Sequence, residues 1–206
     1  MKWIVPWITP LASVELRAAA FRDGRAVCLE SEGSFARLGP MPPAPDVAIG
    51  DLKPIRSVGF GHTYGGQVRY SGNTKPPQKD KSNLGQDLKI NRKTYQQGMG
   101  VHAPCELMYE IRPEYKRFVA LAGADENLVS ISNGSNLAKY PSVVFKVFID
   151  GKQAAASPVM RVQSLAWRFD VPIPEGAKFI SLVAMDAGDG SREDFADWAD
   201  AGFVAK

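Results

Sequence analysis

The sequence is poor in the residues that cross-link folds or build metal centres. Its 206 residues include two cysteines, Cys28 and Cys105, and two histidines. So few cysteines exclude a disulfide framework, and their positions show no zinc-type spacing. A single bridge between them stays open at this stage. Two histidines are too few for a His-rich metal site.

Long apolar runs are lacking as well. No run reaches the length that a membrane span needs. Residues 1–13 combine one charge with an apolar stretch, but they contain two prolines and no convincing cleavage site. This combination does not predict a signal peptide, so sequence patterns leave the compartment open.

Charge of one sign is not concentrated anywhere. The formal net charge is +3, and the densest basic group, Lys75, Lys79 and Lys81, also contains Asp80. This pattern is typical of a solvated loop and does not favour a nucleic-acid partner. With 45% hydrophobic residues, the chain is long enough to bury one sizeable core.

The first 45 residues are predicted to be an extension of the main domain. Apolar residues flank Asp23-Gly24, which favours a β-hairpin within residues 13–31. A short helix over residues 14–21 is the alternative, because Ala18–Ala20 are good helix formers. Five of the seven residues at 39–45 are Gly or Pro, and they predict a semi-extended linker. We therefore expect an extension at 1–45 and a domain at 46–206.

From residue 47 onward the pattern predicts strands and no sustained helix. Apolar runs alternate with Gly, Pro, Asn and Asp, which indicates an all-β sandwich or barrel. Asp150-Gly151 and residues 172–176 are predicted to be hairpin turns, and 126–139 a long functional loop. The predicted strands are 47–52, 55–60, 88–95, 105–111, 117–122, 143–150, 158–162, 165–171, 178–185 and 200–204.

The end of the chain is rich in aspartate and glycine. Trp198 lies among five aspartates: Asp186, Asp189, Asp194, Asp197 and Asp200. The plain interpretation is a solvated turn region. Clustering in one segment disfavours a glycosidase carboxylate pair, whose members usually come from separate strands. Oxygen ligands on a flexible turn suit calcium better, and an aromatic face beside carboxylates suits a sugar.

His102 lies between a glycine-rich turn and a proline, three residues before Cys105. A hydrogen-bonded turn histidine and a ligand contact are both open interpretations. Catalytic Cys and His partners usually come from distant segments, so thiol catalysis is disfavoured. No serine stands on an elbow motif that would build a Ser-His-Asp triad. The sequence therefore does not predict an enzyme.

Several segments together resemble the NPCBM family, also called carbohydrate-binding module family 51. They occur in the order of that family and span roughly residues 47–204. A Gly-x-Gly-x-His-Ala turn at 98–103 and Asp-Trp-Ala-Asp-Ala at 197–201 are the most specific. The remaining segments are 79–83, 88–106, 115–120, 123–125, 143–151, 186–190 and 194–201.

The resemblance implies a galactose-binding-domain-like jelly-roll β-sandwich that is not catalytic and binds galactose-type or related glycans. It also implies a structural calcium ion, with Asp51 and Asp200 at the matching positions. Such modules are generally attached to secreted glycoside hydrolases, which suggests an extracellular or periplasmic setting and a hydrolase as partner. The implied sugar contacts are His102, Asp186, Asp189, Asp194 and Trp198.

Three positions depart from the pattern of the family. Phe60 stands where the family often has Trp, Phe195 where it often has His, and Cys105 where it often has Ser. Because loops determine ligand specificity, the resemblance predicts the fold better than the sugar. An alternative function is a sandwich that docks a neighbouring catalytic domain without binding sugar.

Overall fold

The structure is a computed structural model that describes residues 38–59, 75–131 and 139–205, together with four short strands outside these ranges. The chain divides into two units, residues 1–37 and 38–206. In the first unit, Ala20–Arg22 (β1) pairs antiparallel with Arg25–Val27 (β2), where a hairpin is predicted. The domain boundary at residue 45 stays a prediction.

One layer of the second unit is a six-stranded antiparallel sheet. Its order is β15-β12-β17-β10-β7, and β3 pairs with β17 beyond the end of β10. The strands are Val47–Ala48 (β3), Gln78–Lys79 (β7), Gly98–His102 (β10), Arg117–Ala124 (β12), Trp167–Pro172 (β15) and Phe195–Val204 (β17).

The other layer is a five-stranded antiparallel sheet with the order β14-β13-β16-β11-β4. Its strands are Arg56–Gly59 (β4), Cys105–Glu110 (β11), Val143–Ile149 (β13), Lys152–Ala156 (β14) and Phe179–Asp186 (β16).

Two further strand pairs and two short helical segments complete the described elements. The pairs are His62–Tyr64 (β5) with Gln67–Arg69 (β6), and Leu88–Ile90 (β8) with Lys93–Tyr95 (β9). The helical segments are a 3-10 turn, Ile49–Asp51, and a helix, Asn127–Ile131 (α1). None of the helices that the structure describes is long and apolar enough to cross a bilayer.

The core lies between the two sheets and follows from the alternation of side chains along the strands. Every second residue of β13 is buried, as expected for a strand with one face on a core. Trp198 of β17 is 1% exposed, and its ring meets the rings of Phe145 at 4.9 Å and Phe169 at 5.4 Å. These contacts make Trp198 a central packing residue of the sandwich.

The outer face of the six-stranded sheet is covered by residues 80–95. Leu88, Ile90 and Tyr95 of this segment form a second apolar cluster with Leu121 and Ala199. The cover requires glycine beneath it. A Cβ at Gly100 would lie 2.3 Å from the carbonyl oxygen of Lys81, and one at Gly123 would lie 2.4 Å from Ile90. This close approach explains glycine within central strands.

Two buried carboxyl groups lie under the same cover. Asp125 Oδ1 accepts hydrogen bonds from the backbone and side-chain amides of Asn127, and Asp197 Oδ2 accepts one from Lys89 N at 3.0 Å. Burial raises the pKa of Asp125 to about 6. Burial, and then the charge of Asp125, raise the pKa of Asp197 well above its usual range. Through its hydrogen bond with Lys89 N, Asp197 links residues 80–95, here called the cover, to the six-stranded sheet.

The all-β prediction is confirmed, and six local predictions are wrong. Residues 88–95 are not one strand but two, β8 and β9, joined by a turn, and residues 98–102, interpreted as a glycine-rich turn, form the strand β10. Residues 49–51 form a 3-10 turn, not part of a strand, and the 126–139 loop begins with a short helix. Residues 158–162 contribute one isolated bridge, between Met160 and Val143. Residues 172–176 connect strands of different sheets and so do not make a hairpin. The Asp150-Gly151 turn between β13 and β14 is confirmed, and both residues have the positive φ that such a turn needs.

Candidate functional site

One end of the sandwich, here called the loop end, is formed by residues 139–142 and 186–194. Strand pairing places these segments together, because Val143 lies opposite Asp186 and His102 lies opposite Phe195. The amide of Ala187 donates to the carbonyl oxygen of Ser142 at 3.0 Å. The loop end therefore gathers three of the predicted sugar contacts, Asp186, Asp189 and Asp194.

Asp194 is the buried anchor of the loop end. Its Oδ1 accepts a hydrogen bond from Ser142 N at 2.9 Å, and its backbone oxygen accepts one from Ala103 N at 2.9 Å. Burial raises the pKa of Asp194 to about 7, and the negative charges of Asp189 and Asp186 add to the rise. The side chain is fully buried, so its predicted contact with a sugar is wrong, and it instead positions the loop.

Asp186 and Asp189 have the exposure that a binding carboxylate needs. Asp189 is exposed and Asp186 is half-buried. The hydroxyl of Ser142 donates a hydrogen bond to Asp189 Oδ1, which orients this carboxylate. An oriented, solvent-facing carboxylate can accept hydrogen bonds from the hydroxyl groups of a ligand.

Sequence reasoning missed several neighbours of these aspartates. The guanidinium carbon of Arg192 lies 4.4 Å from the centre of the Tyr140 ring, and Lys139 Nζ lies 5.3 Å from it. Arg161 Nη1 is 3.4 Å from the carbonyl oxygen of Pro141, and its charge acts on Asp194. The one sequence signal was the polar stretch 126–139, which ends next to Tyr140. The loop end is thus a mixed surface of carboxylates, cations and one aromatic ring.

Trp198 and His102 do not lie on this surface. The Trp198 ring is packed in the core, so the predicted stacking of a sugar on it is wrong. His102 is 4% exposed and its ring meets the edge of Phe195 at 4.8 Å. The prediction that it contacts a sugar is wrong for the same reason. The alternative, a hydrogen-bonded turn histidine, differs from the structure as well, because His102 lies in the strand β10. Phe60, which stands where the family often has Trp, lies outside the described residues.

Cys105 is also a core residue. It is 3% exposed, and burial raises the pKa of its thiol to about 12. Among the described residues it forms no disulfide. A protonated, inaccessible thiol is not a nucleophile, which agrees with the rejection of thiol catalysis.

The residues predicted to hold calcium have separate partners. Lys79 Nζ lies 2.6 Å from Asp51 Oδ1 and so occupies a place that a metal ion would need. Asp200 instead faces Lys93, whose charge acts on it. Within residues 38–59, 75–131 and 139–205 no three His, Cys, Asp or Glu side chains are grouped as metal ligands. Asp51 and Asp200 therefore do not fit a shared calcium ion, and calcium elsewhere stays a prediction.

Comparison with known proteins identifies a matching family and several relatives. The family described as the NPCBM/NEW2 domain matches residues 65–204. A protein of Renibacterium salmoninarum named as an endo-alpha-N-acetylgalactosaminidase is 29% identical over 165 residues, which are 80% of this chain. Those residues are only 10% of that protein, so the chain spans about a tenth of its length.

Two solved structures from Clostridium perfringens show the same fold. One contains the CBM51-2 and INT domains of ZmpB; it is 28% identical, with a TM-score of 0.62 over 76% of this chain and 31% of that one. The other is the CBM51 of GH95 in complex with methyl-galactose, 25% identical, with a TM-score of 0.60 over 77% of this chain and 99% of that one. The predicted jelly-roll β-sandwich is therefore confirmed.

Proposed function

Because this chain belongs to the NPCBM family, we propose that it is a non-catalytic carbohydrate-binding module whose glycan site is the loop end. The observation that carries the proposal is the pair of accessible carboxylates, Asp186 and Asp189, beside the buried anchor Asp194. Sugar hydroxyl groups are hydrogen-bond donors, and a preoriented carboxylate is a strong acceptor for them. The chain itself is assigned no chemical step.

The sugar that suits this site is a galactose-type residue. The similar module of C. perfringens GH95 was solved with methyl-galactose, which makes this class the first to test. Adjacent hydroxyl groups of such a residue can bind two neighbouring carboxylates, Asp186 and Asp189. The half-buried Tyr140 ring, which Arg192 and Lys139 contact, belongs to the same loop end, and its exposed part adds aromatic surface for the C–H groups of the sugar.

The partner of the module is a catalytic domain that acts on glycans. The relative from R. salmoninarum carries the name of a glycosidase, and the matched region is a tenth of its length. A non-catalytic module contributes to such an enzyme by keeping it near its substrate, since tethering raises the effective concentration. A hydrolase attached to this chain, or bound by it, would gain that advantage.

A glycan array on the purified chain, followed by calorimetric titration of the hits, tests the proposal. We expect binding to galactose-terminated glycans and a loss of about tenfold or more in affinity for Asp189→Ala, because a charge-assisted hydrogen bond is removed. Glu175→Ala is the matched control: it deletes an exposed carboxylate in the turn that precedes β16, far from Asp186 along that strand, and should bind normally.

Two results would overturn the proposal. A folded chain that binds no glycan on the array would leave the docking of a neighbouring domain as the function of the sandwich. Equal affinity of Asp189→Ala and Glu175→Ala would show that a glycan binds, but at another site.

A further inference from the structure

The outer face of the five-stranded sheet contains a groove of about 580 Å³. Its floor is low because the central strand, β16, presents the small side chains Ser181 and Val183. In the sheet register Ser181 lies between Phe148 and Met108, and Val183 lies between Lys146 and Glu106. Longer side chains on both neighbouring strands therefore form two walls along a narrow floor.

Two large apolar side chains of β16 stand at the ends of this floor. Phe179 is 44% exposed and Met185 is 37% exposed. Exposed apolar side chains that converge on one concavity indicate a binding surface more often than scattered ones do. A volume of this size also lies within the range of small-molecule sites.

The polar groups of the groove lie across Val183 from each other. Glu106 Oε2 is 3.3 Å from Arg56 Nη2, so the wall formed by β11 carries an ion pair. Lys146 on the other wall has no hydrogen bond or ion pair among the described residues. Ser181 adds a hydroxyl group on the floor. The groove is thus apolar along its length and offers a few hydrogen-bond partners at its middle.

We propose that this groove is a second glycan site and that it takes an N-acetylhexosamine disaccharide. Such a ligand has apolar C–H faces for Phe148 and Phe179, and hydroxyl groups for Lys146, Glu106 and Ser181. Its acetamido methyl group adds apolar area, which suits a lining that contains Met108, Met185 and two phenylalanines. A neutral sugar without that methyl group leaves part of the apolar lining exposed to water.

This site is independent of the loop end. It is built by strands, not loops, and none of its hydrogen-bond partners is Asp186, Asp189 or Asp194. Loss of binding at the loop end in Asp189→Ala would leave the groove intact. Failure of either proposal can therefore be told apart from failure of the other.

Methyl-¹³C methionine NMR of the full chain tests the proposal, with chitobiose as the probe. Met108 and Met185 line the groove, whereas Met99 and Met160 are buried in the core and serve as internal controls. We use Asp189→Ala as the background to weaken binding at the loop end, next to Met185. Met108 lies opposite Ser181, which is five residues from Asp186 along β16, and so reports on the groove. At about 20 mM chitobiose, suited to a millimolar site, the Met108 and Met185 signals should shift and the core signals should not.

Cellobiose is the matched ligand, because it differs from chitobiose in carrying hydroxyl groups where chitobiose has acetamido groups. We expect chitobiose to bind at least about threefold more tightly, since a buried methyl group contributes about that much. Phe179→Ala should weaken chitobiose binding about fivefold by removing an exposed ring. Leu165→Ala, which removes a side chain that is 64% exposed and outside the groove, should have no effect.

Three outcomes would overturn the proposal. The first is unshifted Met108 and Met185 signals at the highest chitobiose concentration. The second is equal affinity for cellobiose and chitobiose, which would show that the acetamido groups do not contribute to binding. The third is a groove that binds an apolar dye or a partner domain but neither disaccharide, which would make it a docking surface.

Discussion

The two outer faces of the sandwich differ in what lies on them. On the six-stranded sheet, residues 80–95 cover the strands so closely that Gly100 and Gly123 have no room for a Cβ. On the five-stranded sheet, small residues at the centre of β16 leave a groove that is open to solvent. On the six-stranded sheet, the absence of side chains at the two glycines lets residues 80–95 lie in contact with the strands. On the five-stranded sheet, the small side chains of β16 leave a cavity that no described residue fills.

The difference separates residues that maintain the fold from residues that can bind. Asp197 and Trp198 belong to the most specific motif of the family, yet both are buried, one under the cover and one in the core. The accessible groups lie at the loop end and on the open sheet. Substitutions on the two faces, changes of pH and addition of calcium test this division.

The largest effect is expected at Gly100. An Ala Cβ would lie 2.3 Å from the Lys81 oxygen and 2.5 Å from the Ser82 Cα, which are backbone atoms that cannot rotate away. Gly100→Ala should lower the free energy of unfolding by about 3 kcal/mol or more, measured by urea denaturation. Gly39→Ala, where no atom lies within 4 Å of the new Cβ, is the control. A stable Gly100→Ala protein would mean that the cover is loosely attached.

Truncation of the cover itself should have a somewhat smaller effect. Leu88 is fully buried against Leu121 and Ala199, so Leu88→Ala should destabilise the fold by about 2–4 kcal/mol. Met185→Ala on the open face should cost less than about 1 kcal/mol, because that side chain is already partly in water. If both substitutions had the same effect, the distinction between the two faces would be lost.

The third prediction concerns pH. The pKa values of Asp125 and Asp197 are raised by burial in the folded state, so the folded chain holds protons that the unfolded chain releases above about pH 4. Their contribution to stability is complete below that pH and is lost as the pH rises through the folded pKa of about 6 for Asp125. Asp194, with a pKa of about 7, acts in the same direction.

Asp197→Asn isolates the buried pair from Asp194. The Asn oxygen can still accept the Lys89 amide, and its NH₂ group can donate to Asp125. Between pH 5 and 8 the wild type should lose about 1–2 kcal/mol more stability than Asp197→Asn, as measured by urea denaturation at each pH. Parallel pH profiles for the two proteins would rule out a titrating Asp125–Asp197 pair.

The smallest effect is expected from addition of calcium. Asp51 is already paired with Lys79, so calcium is not expected to bind there. Any rise in melting temperature that CaCl₂ produces by binding to the folded state should therefore be equal in the wild type and in Asp51→Asn. A calcium-dependent rise that is lost in Asp51→Asn would contradict this assignment.

The sequence predicts most strands, because alternation and turn residues are local signals. It does not distinguish a turn within one sheet from a link between two sheets, which is why the hairpin prediction for residues 172–176 is wrong. Alternation along 195–199 does place Trp198 and Asp197 on opposite faces. That Asp197 is nevertheless buried depends on residues 80–95, more than a hundred positions earlier, and no local pattern contains that information.

The candidate site was only partly predictable for the same reason. Asp186 ends a strand and Asp189 follows it, and their position at the exposed end of that strand could be inferred. Ser142, which orients Asp189, and Tyr140, which contacts Arg192, come from a segment more than forty residues earlier. Only the pairing of Val143 with Asp186 brings them together.

An amide NMR titration with methyl galactoside shows whether a sugar binds at the loop end and leaves the covered face unchanged. We expect the signals of Ser142, Ala187 and Asp189 to shift at the loop end, while those of Leu88, Ile90 and Tyr95 in the cover stay in place. No shift at the loop end, or shifts confined to the cover, would contradict this expectation.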